Sequence, residues 1–146
     1  MEMPAVEAAQ NRLSFGAPEL VRGRQEREEI TMVNRRTKAI QELNDRFRKG
    51  DASVPGTVVI TNGVQSHLAE VGESLETLAT VIQGFDSFTE DNDPHGEHDF
   101  GKFSFLDAEL FWKIDQYNTT YGGGSGDPTD LTKTCRVLTI MLTHEY

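Results

Sequence analysis

Apolar residues recurring at three- and four-residue steps mark the first patterned stretch of the chain. Ile30, Val33, Ile40, Leu43 and Phe47, with Thr37 among them, keep that spacing, and Arg35, Arg36, Lys38 and Arg46 lie between them. The pattern predicts an amphipathic helix from Gln25, ended by Gly50 behind Arg48 and Lys49, a basic pair suited to the negative end of a helix. Thr57-Val58-Val59-Ile60-Thr61 is a β-branched run closed by Asn62-Gly63, which predicts a strand ending in a turn. Val64, Leu68, Val71, Leu75, Leu78, Ile82 and Phe85 return to helical spacing, with Gly72 interrupting it. A short turn to Ala69 and a helix over Glu73–Gln83 are expected there.

Beyond residue 99 the period changes to two. Phe103 and Phe105 alternate with polar neighbours, and Glu109–Tyr117 places Leu110, Trp112 and Ile114 on one face. With Asp107-Ala108 as the connection, this reads as a β-hairpin. Thr134–Thr143 is apolar on both faces and reads as a strand inside the sheet. The expected fold is therefore α+β: an antiparallel sheet of about four strands with two packed α-helices. Residues 25–146 would form one domain, preceded by a disordered extension over residues 1–24, where no period is sustained.

Composition narrows the functional classes. The single Cys135 cannot form an internal disulfide, and no apolar run approaches the ~18 residues of a membrane span. The first residues, with Glu2 and Glu7, do not resemble a signal peptide, so a cytoplasmic protein is expected. The net charge of −10 is unevenly distributed. Residues 1–50 carry 10 basic and 8 acidic side chains, whereas residues 51–146 carry 4 and 16, a net of −12. Such a body repels a polyphosphate backbone, so a nucleic-acid partner is not expected for it. The stripe Arg35, Arg36, Arg46, Arg48 and Lys49 offers one place to grip nucleic acid, or a solvated face.

Candidate chemistry gathers in Asp86–Gly101. Six carboxylates (Asp86, Glu90, Asp91, Asp93, Glu97 and Asp99) lie there with His95 and His98, and no Lys or Arg falls among them. As a contact surface, those six carboxylates suit a protein partner with a basic surface. As a metal site, His95, His98, Asp93 and Glu97 offer donors for zinc or manganese. A calcium loop fits less well, because Lys102 stands where the bidentate Glu belongs. A third reading is a self-bonded loop, since Asp and Asn bond nearby backbone while Pro94 and Gly96 set turn dihedrals. His144 is a further imidazole that strand pairing could bring to this loop. The glycine run 122–126 lacks the Lys and Ser/Thr of a phosphate-binding loop and reads as a flexible linker.

The segments Ile40–Arg48, Phe85–Gly101, Phe111–Asp115 and Arg136–Leu142 with Glu145-Tyr146 together resemble a bacterial family known as domain of unknown function 3768. The resemblance spans about residues 37–146. It implies a context of plasmids and other mobile elements and brings no established activity. Two function classes follow. One is a non-enzymatic protein that blocks a host nucleic-acid-handling or defence complex (anti-restriction or anti-CRISPR in type) through the acidic loop. The other is a metal-dependent hydrolase or nuclease using residues 91–99.

Overall fold

The computed structural model describes residues 16–146, with side chains from Arg22 onward. In chain order it contains α1 (Gly16–Arg48), β1 (Gly56–Ile60), α2 (Asn62–Val71), α3 (Leu75–Gln83), β2 (Phe100–Phe105), β3 (Ala108–Tyr117) and β4 (Cys135–Leu142). A 3-10 turn, Thr143–Glu145, follows. Helix α1 begins at Gly16 rather than Gln25. Of the expected extension, residues 1–15 lie outside the described residues. Among the described residues no helix is long and apolar enough to cross a membrane.

The chain divides into two units at Arg36/Thr37. In the first, the α1 residues Arg24–Arg36 are all exposed, including Ile30, Met32 and Val33.

The second unit, Thr37–Tyr146, holds the sheet and its core. Here α1 turns Ile40, Leu43, Asn44 and Arg48 inward. It stops because Gly50 takes a φ of 90°, letting Gly50 N–H reach the Phe47 carbonyl and Asp51 N–H the Arg46 carbonyl. That pair of bonds is a Schellman cap. Asn62-Gly63 opens a full helix instead of closing a strand, because the Thr61 hydroxyl accepts the Val64 N–H as an N-cap. Gly72 then ends α2 in the left-handed conformation, and Ser74 caps α3. Three helices are therefore present where two were expected.

The sheet has the order β1-β4-β3-β2. The hairpin is real, but its connection is Leu106-Asp107, both at positive φ between the paired Phe105 and Ala108. That is the geometry of a two-residue primed turn. The last strand does lie inside the sheet. However, β1 runs parallel to it, with Gly56 opposite Arg136 and Ile60 opposite Ile140, so the sheet is mixed and not purely antiparallel. A parallel pair needs a long crossover, which α2, α3 and the hairpin provide. Alternation along a strand carries no information about the direction of its neighbour.

One face of the sheet is closed. Leu110, Trp112, Ile114, Leu138 and Ile140 pack with Val64, Leu68, Leu78 and Ile82 of α2 and α3. Trp112 is completely buried, and Gly101 opposite it is what admits the indole. A Cβ on Gly101 would collide with Trp112 Nε1 and with the Phe85 ring. The other face carries the half-buried Phe100, Phe111, Lys113 and Asp115, with Met141 buried opposite Phe111. The glycine-rich segment is tied down rather than free. Gly124 bridges Tyr117, Asn118 Oδ1 accepts the N–H groups of Thr120 and Gly122, and the Ser125 hydroxyl bonds that of Thr134 at 2.7 Å.

Candidate functional site, an acidic loop anchored on a buried polar network

The loop between α3 and β2 is held from inside. Asp93, whose side chain is only 5% exposed, accepts the backbone N–H groups of Glu97 and His98 through one carboxylate oxygen, each at 3.1 Å. Its own N–H reaches the Thr89 carbonyl at 2.8 Å, and its carbonyl accepts the Gly96 N–H. Upstream, Asn92 Oδ1 accepts the Thr89 N–H, and Asn92 Nδ2 donates to the Ser87 carbonyl. These short-range bonds make a compact turn, as Asp and Asn beside Pro94 and Gly96 favour.

Helix α1 grips that turn. Gln41 Nε2 donates to the Gly96 carbonyl at 2.8 Å, and Asn44 Nδ2 donates to the Glu97 carbonyl at 3.0 Å. Asn44 is completely buried, and its Oδ1 accepts Arg136 Nε at 2.7 Å and Gln116 Nε2 at 3.3 Å. The Arg136 guanidinium, equally buried, also donates to the Pro128 carbonyl. Burial pushes its pKa down to about 10, with nearby Glu97 opposing the shift. One asparagine thus joins helix, loop and central strand.

His98 is the second anchor. Its Nδ1–H points at both oxygens of Asp45, at 2.9 and 3.0 Å, and its Nε2 lies 3.7 Å from Asp93 Oδ2. The ring stacks on Phe88 with centroids 3.7 Å apart. Behind it, buried Arg48 bonds Asp45 at 3.1 Å and stands over the Phe88 and Trp112 rings at 5.5 and 5.3 Å. Burial lowers the pKa of Arg48, while Asp45 and Asp86 act to raise it.

This anchoring sorts the candidate residues. Asp86, Glu90 and Asp91 are exposed on the outer part of the loop. Asp93 faces inward, and Glu97 is half-buried beside Arg136. His95 and Asp99 line a cleft of ≈ 410 Å³ with Phe100, Asp115 and Tyr146. The candidate metal donors His95, His98, Asp93 and Glu97 do not converge: among the described residues, no group of three or more His, Cys, Asp or Glu side chains is arranged to hold a metal ion. His144 lies away from this loop, lining a cavity with His67, Glu70 and Glu109. The basic stripe of α1 is also broken up, since Arg48 is buried and Arg46 pairs with Asp51 at 2.8 Å.

Sequence reasoning missed Asn44, Asp45, Gln116 and Arg136 as part of the site. Two signals were present. Asn44 occupies the inward stripe between Ile40 and Phe47, and Arg136 begins the inward series Leu138, Ile140, Leu142. A polar residue on an otherwise apolar face needs a buried partner, and these two are partners of each other.

The fold and site together define a small α+β protein that displays an anchored acidic loop beside a mixed four-stranded sheet. Residues 60–145 match the family described as Protein of unknown function (DUF3768), and the chain belongs to that family. No curated protein and no solved structure matches it.

Proposed function

We propose that this chain acts by binding, as a non-enzymatic protein whose acidic loop occupies a basic surface on a protein partner. The partner class is a nucleic-acid-handling protein, such as a restriction or other defence complex, whose groove otherwise receives phosphates. The observation that carries this reading is the loop's anchoring. Asp86, Glu90 and Asp91 are exposed, while Asp93, His98, Asn44 and Gln41 fix the backbone beneath them. Carboxylates presented on a pre-formed loop lose less conformational entropy on binding than carboxylates on a flexible one. A net charge of −12 over residues 51–146 adds long-range attraction toward a basic groove.

The test is capture from bacterial lysate on immobilised full-length chain, followed by competition with duplex DNA. The expected result is a basic protein retained at low salt, released at high salt and displaced by DNA. D86N/E90Q/D91N should lose it. Capture that survives both DNA and the triple variant would refute the reading.

A further inference from the structure

The cleft beside the loop has a chemistry that the exposed carboxylates do not share. It opens on the face of the sheet opposite α2 and α3, where Phe100 is registered against Lys113 and the Ile114 N–H donates to the Asp99 carbonyl at 2.8 Å. Its ≈ 410 Å³ is enough for one long side chain. One wall is aromatic: Phe100 and Tyr146 have ring centroids 5.8 Å apart, and Phe111 packs on both at 4.9 and 5.4 Å. Asp99, Asp115, His95 and Asn92 supply polar groups, and Lys113 also lines the cleft.

The two carboxylates are not equivalent. Lys113 Nζ sits 3.1 Å from Asp115 Oδ2 and partly neutralises it. Asp99 is half-buried. Burial pushes the Asp99 pKa up, with Asp93 and Asp115 adding to the shift and His95 opposing it. The rise comes chiefly from desolvation of the carboxylate, and a cation seated against Asp99 would offset it. An incoming anion would meet two carboxylates. A metal ion would meet an aromatic wall and no set of three converging donors. A planar cation matches both walls, because a guanidinium pairs with a carboxylate through its edge and stacks on a ring through its face.

We infer that this cleft receives an arginine side chain of the protein partner, its guanidinium paired with Asp99 and lying against Phe100 and Tyr146. The inference rests on reading the loop as the contact for a basic protein, and it assigns that contact a single pocket. Lys113 competes with the guest for the cleft's negative charge.

The experiment uses the full-length chain and needs no partner. The peptide acetyl-Gly-Arg-Gly-amide is titrated into ¹⁵N-labelled protein, with acetyl-Gly-Lys-Gly-amide and equal NaCl as controls. The arginine peptide should give saturable shifts at the amides of His95, Asp99 and Ile114, with the lysine peptide at least about fivefold weaker. D99N should abolish the response while raising Tm at neutral pH, since it removes a carboxylate that burial disfavours. Y146A, at a residue 76% exposed, should weaken binding with only a small fall in Tm from the lost Phe100 and Phe111 contacts, and K113Q should tighten it. E90Q/D91N should leave the response intact even where it abolishes lysate capture, so the two readings can fail separately. No saturable shift, equal response to lysine, or unchanged affinity in both D99N and Y146A would overturn the inference.

Discussion

Asp91 and Asp93 stand two residues apart in one acidic loop and meet opposite surroundings. Asp91 projects into water with Asp86 and Glu90, whereas Asp93 is turned inward and spends its carboxylate on two backbone N–H groups. The inward group fixes the loop, and the outward ones are fixed by it. Negative charge alone therefore does not identify a contact residue in such a loop. Carboxylates that stay exposed once the backbone is served remain to meet a partner, and one of them, Asp86, also acts on the buried Arg48 charge.

Substitutions that break this division should separate stability from binding. The largest effect is expected for Asp93→Ala, which leaves the N–H groups of Glu97 and His98 without their acceptor. Its cost is about 3 kcal/mol, read as a lower urea midpoint at unchanged m. Asn44→Ala, which removes the acceptor of buried Arg136 Nε and the donor to the loop, should cost about 2–3 kcal/mol. His98→Ala loses the Asp45 bond and the Phe88 stack and should cost about 1–2 kcal/mol. On the outer side, D86N, E90Q and D91N should each stay within about 0.5 kcal/mol of the parent, while the three together remove salt-sensitive capture. A triple variant as destabilised as Asp93→Ala would erase the distinction between the two sets.

The smallest effect is a pH dependence. Asp99 has a folded pKa above its unfolded value, so its ionised form opposes folding at neutral pH. As pH falls through the folded value, that penalty disappears, and it is absent below the ordinary aspartate value near 3.8. The Tm advantage of D99N should therefore be greatest at pH 7 and vanish near pH 3.8. Asp51 acts in the opposite sense. Ser53 and Arg46 hold its carboxyl at about 2, so its contribution is present at neutral pH and is lost as pH falls from 3.8 through 2.

Elements with a strong period were legible from the residues alone. The hairpin, the interior strand, the C-terminal end of α1 and α3 all follow from apolar spacing and glycine stops. The parallel pairing of β1 with β4 was not legible, because side-chain alternation is the same for either direction. Asn62-Gly63 carries no such signal, because a turn pair can equally begin a helix when a preceding threonine caps it. The loop was located by its composition, but its division into inward and outward carboxylates depends on Asn44, Asp45 and Arg136, which are far from it in sequence. The polar positions on two apolar faces pointed to burial without saying what would be bonded there.

The mixed sheet also has a kinetic consequence. Strand β4 is interior to the sheet, and the strands on both of its sides precede it in the chain. Until residues 135–142 are available, β1 has no neighbour and the hairpin has no third strand. The same segment carries Arg136, without which Asn44 has no charged partner. Sheet closure and loop anchoring should therefore occur in one late, cooperative step, slowed by the long chain separation between Gly56 and Arg136.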